Sequence, residues 1–215
     1  VVLDKVAEID AVPLIIAEIP TNPRVEVPNL KDLRTALTKI RKTPLGEKAI
    51  PPVFILDQTF CPNYNFLGDG QILSTVETIS YASGSKFPSG GKCTAGYLVA
   101  NKKAEYLLDK IEANLKLCDN EARDFQIEIL AEQLPSMKRR ITKAYENTRE
   151  FVEFIKEVLP SAKINFVSKD LAEMGFTPSV FSLDLPTKGD THEERETYKR
   201  FLNKKLIDMM ITEIP

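Results

Sequence analysis

The sequence predicts an α/β fold of three layers, with helices on both sides of a mostly parallel sheet. Three observations lead there. Short apolar runs rich in branched residues stand between prolines and turns, at Pro13 to Ile19 and at Pro52 to Asp57. Between them lies a stretch with apolar residues at helical spacing, so strand, helix and strand follow one another as in a right-handed parallel crossover. The composition is that of an ordinary globular chain: 215 residues, 43% hydrophobic and 28% charged.

Each element has its own signal. Val1 to Ala7 reads as the tail of a helix or a connector. Pro13 to Ile19 is the first strand, closed by the turn Pro20-Thr21-Asn22-Pro23. Asn29 is placed to cap a helix whose inner face is Leu30, Leu33, Leu37 and Ile40. Thr43 to Pro52, with Gly46 and three prolines, is a loop. Pro52 to Asp57 is the second strand and ends on a carboxylate. Thr78 to Ala82 is the third, followed by a loop of small and hydroxyl residues, Ser83 to Lys92; Ala95 to Ala100 is the fourth. From Asn101 the pattern turns helical, with Ala104, Leu107, Leu108, Ile111 and Leu115 on one face. Glu121 to Leu134 is a second helix, broken at Pro135. Met137, Ile141, Ala144, Phe151, Ile155 and Val158 support a long helix ending at Pro160, long enough to bridge two domains. Lys163 to Val167 and Ser179 to Leu185 read as strands, and Glu193 to Met210 as a helix. This change of pattern places a domain boundary near 160, giving 1–159 and the start of a smaller α+β domain over 160–215.

Charge and composition exclude several classes of function. Lys plus Arg is 29 and Asp plus Glu is 31, a net charge of -2, so neither a nucleic-acid face nor a polybasic membrane anchor is expected. The longest apolar runs fall far short of a bilayer span. The cysteines, Cys61, Cys93 and Cys118, are odd in number and too far apart for a Cys-x-x-Cys pair, which argues against a disulfide framework or a zinc ribbon and for a reducing, cytoplasmic compartment. The single histidine, His192, lies in a charged stretch that reads as a solvated face, so neither a His-rich metal site nor a Ser-His-Asp hydrolase is expected. The start at Val1-Val2-Leu3 and the apolar run from Ile207 to Pro215 suggest a piece of a longer protein; the alternative is a complete domain with trimmed ends.

The residues that carry chemistry collect near strand ends. In a parallel α/β sheet the ligand crevice lies at the carboxyl ends of the strands. Asp57 ends a strand, Asn22 follows one, and Lys86 stands in the Ser/Gly loop after the third. A lysine among small residues suits Schiff-base chemistry. Ser83 and Ser85 flank it with two hydroxyls suited to a phosphate, and a carboxylate can pair with a ring-nitrogen cation. These are the parts that a pyridoxal phosphate site needs. Alone, each has a plainer reading: a surface lysine, a turn aspartate, a flexible Gly90-Gly91 turn.

The order of the pieces resembles the Cys/Met-metabolism family of fold type I pyridoxal phosphate enzymes, which includes cystathionine gamma-synthase, cystathionine beta-lyase and methionine gamma-lyase. The matching pieces are Glu18-Ile19-Pro20-Thr21-Asn22-Pro23, Leu56-Asp57-Gln58-Thr59-Phe60, Ser83-Gly84-Ser85-Lys86, and Gly90-Gly91 ahead of Ala95-Gly96. The resemblance covers residues 8–160 best. It implies pyridoxal 5'-phosphate as cofactor, held covalently by Lys86, with Asp57 keeping the pyridine nitrogen protonated. It also implies Ser83 and Ser85 at the phosphate and Asn22 near the ring oxygen. Residues 1–159 then correspond to the later part of the cofactor domain. The expected activity is of the trans-sulfuration type, elimination or replacement at the beta or gamma carbon of a small sulfur amino acid or its precursor, in a homo-oligomer. An aminotransferase of the same fold and a non-catalytic domain that retains it are the alternatives. The sequence departs from the family at Gln58, which stands for Asn; at Ser85, which stands for Thr; and at Gly90-Gly91-Lys92-Cys93, which lacks the usual histidine and acid. The family's upstream Gly turn, stacking aromatic and Tyr/Arg pair, and its downstream substrate-binding arginine, have no counterpart here.

Overall fold

A computed structural model describes residues 1–213. The last two positions of the apolar run expected to reach Pro215 lie outside them. In chain order the elements are α1 (Val2–Glu8), β1 (Leu14–Glu18), α2 (Leu30–Thr38), β2 (Val53–Asp57), β3 (Glu77–Ala82), β4 (Tyr97–Ala100), α3 (Leu108–Leu117), α4 (Asp124–Gln133), α5 (Met137–Val158), β5 (Lys163–Asn165), α6 (Lys169–Glu173), β6 (Ser182–Asp184) and α7 (His192–Glu213). The main sheet runs in the order β1-β2-β3-β4. β1, β2 and β3 are parallel, and β4 is antiparallel to β3. β5 and β6 form a separate antiparallel pair.

Side chains alternate across a strand, so each strand feeds two layers. Phe54 and Leu56 of β2, with no exposed surface, point into the main core with Leu30 and Leu37 of α2, Phe66 and Leu73. Each such side chain contributes roughly 1.5–3 kcal/mol by leaving water. Val53 and Ile55 point the other way, and with Leu14 and Ile79 they face Leu107, Ile111 and Leu115 at the start and along the face of α3. These are the three layers: α2, sheet, α3. Val167 and Phe176 enter the same core as Phe66, where the Tyr64 and Phe176 rings stack at 3.9 Å.

Local chemistry sets the element ends. Asn29 Oδ1 accepts from the N–H groups of Lys31 and Asp32 at 3.0 and 3.2 Å, capping α2 as the sequence predicts. The helix stops at Thr38 because the Arg41 guanidinium bonds the carbonyls of Ala36 and Lys39. Ile40, expected on its inner face, therefore lies beyond it and is exposed. On α5 the buried residues are Ile141, Val152 and Ile155; Phe151 and Val158, expected inside, are about half exposed, and the Phe151 ring meets Phe181 edge-on. α6 is a five-residue helix with no counterpart in the sequence reading; Ser168 caps it by accepting from Leu171 N–H. α7 opens on a capping box between Thr191 and Glu194, and leaves His192 exposed. Among the described residues no helix is long and apolar enough to cross a membrane, and no group of His, Cys, Asp and Glu is placed to hold a metal ion.

Candidate functional site

The register of the parallel strands puts Glu18, Asp57 and Tyr81 side by side at their carboxyl ends. By alternation all three share the face that α3 covers further back. Here, beyond the residues that α3 meets, they line an open shelf. Asp57 closes an Asx turn: its Oδ1 accepts the Thr59 N–H at 2.8 Å. Glu18 accepts the Asn22 N–H at 3.0 Å, which places Asn22, exposed, at the edge of the same shelf. The Tyr81 hydroxyl titrates above the ordinary tyrosine range. Partial withdrawal from water is the first cause, and the carboxylates of Asp57 and Glu18 add to it by opposing a phenolate.

Thr59 joins β2 to the lysine loop. Its backbone holds Asp57, and its Oγ1 accepts the Ser83 N–H at 3.0 Å. Next to it, buried Gln58 receives the Ser80 hydroxyl and donates to the Tyr64 carbonyl at 2.8 Å. The departure at Gln58 thus serves strand packing rather than the shelf.

Ser83 to Lys92 is a chain of turns with a fixed frame. The Ser83 and Ser85 hydroxyls lie 2.8 Å apart. Lys86 is exposed, and among the described residues its side chain makes no hydrogen bond or ion pair. Ser89, fully buried, gives its hydroxyl to the Gly84 and Cys93 carbonyls and accepts the Cys93 N–H at 3.1 Å. Gly84 lies so close to the Ala95 carbonyl that any Cβ would overlap it. This contact uses the backbone of Ala95 and Gly96, and β4 begins only at Tyr97. Gly90 and Gly91 take φ of 65° and 81°, which lets the loop turn back toward β4. Arg140 of α5 closes the frame, its guanidinium donating to the carbonyls of Pro88 and Gln133.

The structure therefore gathers Asp57, Ser83, Ser85 and Lys86 at one end of the sheet, on two segments linked by Thr59, with Asn22 on the neighbouring turn. The donor set suits pyridoxal phosphate: one carboxylate oxygen held by the backbone and the other not, two adjacent hydroxyls, and an accessible amine. The sequence reading gave no role to Thr59, Tyr81 or Ser89. An Asp-x-Thr turn at a strand end, the two-residue period from Ile79 to Tyr81, and a serine directly before Gly-Gly were the available signals.

No protein-family model matches the chain, and no curated protein does. Solved structures do. It is similar to metB from Corynebacterium glutamicum, with 16% identity and a TM-score of 0.61 over 81% of this chain and 43% of that one. It is similar to apo CalE6, a methionine gamma lyase from Micromonospora echinospora, with 18% identity and a TM-score of 0.59 over 79% and 43%. It is also similar to cystathionine gamma-lyase from Lactobacillus plantarum complexed with L-serine, with 18% identity and a TM-score of 0.60 over 82% and 45%. The chain spans less than half the length of each of these proteins. The order of strands and helices and these likenesses agree: over the part it spans, the chain shares the α/β fold of these structures, a mostly parallel sheet flanked by helices.

Proposed function

We propose that the chain carries the lysine side of a pyridoxal phosphate site in an enzyme of the trans-sulfuration type, acting at the beta or gamma carbon of a small sulfur-containing amino acid or its precursor. The observation that carries this reading is the Thr59 link, which ties the Asp57 carboxylate at the end of β2 to the loop bearing Ser83, Ser85 and Lys86. When bound, the cofactor supplies an electron sink that stabilises negative charge at the substrate's alpha carbon. The Asp57 oxygen that Thr59 does not hold would accept a hydrogen bond from the protonated ring nitrogen and keep it protonated. The Ser83 and Ser85 hydroxyls would donate to phosphate oxygens, and Asn22 would sit toward the ring oxygen. Lys86 would hold the cofactor, and its amine would move protons at the alpha and beta carbons. Self-association and a reducing compartment belong to the same reading, supported by the exposed apolar side chains of β1 and α7 and by three free cysteines.

Reductive trapping tests it. The chain is incubated with pyridoxal phosphate, reduced with borohydride, digested and read by mass spectrometry. Lys86 is expected to be labelled ahead of every other lysine, and Asp57→Asn to lower that preference. Labelling spread evenly over the surface lysines overturns the assignment.

A further inference from the structure

At the opposite end of the sheet, where β1, β2 and β3 begin, α1 and the segment that follows α2 close over a cavity of about 250 Å³. Part of its wall is apolar. Leu3, Val6 and Ala7 come from α1, Leu37 from α2, and Pro52 and Val76 from the residues leading into β2 and β3. Its mouth is cationic, with Lys39, Arg41, Lys48 and Lys103 against the one carboxylate of Glu77.

Those charges are unevenly matched. Lys39 and Arg41 share a single oxygen of Asp4, at 3.1 and 2.9 Å. The Arg41 side chain is only 12% exposed and also donates to two carbonyls at the end of α2, so it is a fixed positive charge. Glu77 is engaged by the Tyr106 hydroxyl at 2.9 Å. Lys48 and Lys103 are exposed at the mouth and form no ion pair among the described residues. With the Val1 ammonium on the other Asp4 oxygen at 2.9 Å, five cations therefore meet the two carboxylates of Asp4 and Glu77. Positive charge beside low-dielectric walls attracts an anion more strongly than the same charge on an open surface. Small-molecule sites combine an apolar concavity with a few polar groups in this way.

We propose that this cavity binds a small organic anion, a carboxylate or phosphate carried on an apolar body. The body fills the space between α1 and the strand starts, and the head group lies between Lys48 and Lys103. The volume is below the usual range for a ligand site, about 300–1,000 Å³, which limits the body to a short chain or a single ring. The site is at the far end of the sheet from Asp57 and Lys86, and it stands or falls separately from the function proposed above.

The test is a titration of the whole ¹⁵N-labelled chain with hexanoate, hexyl phosphate, hexanol and inorganic phosphate, following the amides of Ala7, Leu37, Ala49 and Val76. At least one of the two amphiphilic anions is expected to shift these amides saturably, and the tighter of the two identifies the head group. Hexanol and inorganic phosphate are expected to bind at least about tenfold more weakly, since each lacks one half of the recognition. Lys48→Ala together with Lys103→Ala changes only exposed side chains and is expected to weaken the anion by about tenfold or more. Added salt acts in the same direction. Hexanol binding as tightly as hexanoate, unchanged affinity in the double variant, or no saturable shift with either anion overturns the proposal.

Discussion

Thr59→Val separates the two bonds that this residue makes. Its backbone N–H still reaches Asp57 Oδ1, at 2.8 Å in the parent. The Oγ1 that accepts the Ser83 N–H at 3.0 Å is lost. Valine matches threonine closely in volume, and Thr59 is buried, so packing is nearly conserved while a partly buried N–H loses its acceptor. Such a loss costs about 1–2 kcal/mol, a factor of about 5–30 in an opening equilibrium. The penalty falls on the start of the lysine loop, because Ser89 and Arg140 still hold its far end. Amide hydrogen exchange at Ser83 reads this directly. It is expected to be about 5–30-fold faster in Thr59→Val, and close to the parent rate in Thr59→Ser, which keeps the hydroxyl. The preference for Lys86 in reductive trapping is expected to fall in the valine variant and return in the serine variant. Parent-like exchange at Ser83 in Thr59→Val would show that the end of β2 does not hold the loop.

Two further predictions concern stability. The buried Asn101 side chain donates to the carbonyls of Leu73 and Val76 and accepts the N–H groups of Lys103 and Ala104, both at 3.1 Å; Asn101→Ala is expected to lower stability by about 2–4 kcal/mol in a denaturant melt, and a change within experimental scatter would contradict this. Burial pushes the Cys61 thiol up from its ordinary 9.0 to about 11, so the folded state holds that proton more tightly than the unfolded one; the associated stability is full below 9.0 and is lost as pH rises through about 11. Cys61→Val should flatten that alkaline limb, and at pH 8 a thiol reagent should modify exposed Cys118 well before Cys61.

The parts of the fold that were legible in the sequence are those set by local pattern. β1 and β2 are apolar runs fenced by prolines, and α2 carries its cap and its inner face within one short segment. What needed the third dimension was hidden. The backbones of Gly84 and Gly96 pass close against those of Ala95 and Ala82, and β4 begins only at Tyr97; two glycines in the sequence mark a close approach without naming its partner. Arg41 ends α2 from outside the helix, so Ile40, though at helical spacing, does not join the inner face. α6 is too short to show a helical period. At the site, Asp57, Ser83, Ser85 and Lys86 stand out in the sequence because their residue types and order match a known chemistry. Thr59 and Ser89 were not given roles, because their work is to bind backbone groups that lie near them only in the folded chain.

The row formed by Glu18, Asp57 and Tyr81 also bears on how faithfully the sheet assembles. Side chains alternate along β2, so a slip of one residue against β1 or β3 would exchange its two faces. Phe54 and Leu56 would turn outward, and Asp57 would be driven among the apolar side chains of Phe66 and Leu73. Sinking an unpaired carboxylate into such surroundings is strongly unfavourable. A carboxylate at the last position of a central strand therefore acts as a proofreader during folding, rejecting the shifted pairing and leaving the crevice end of the sheet in one alignment.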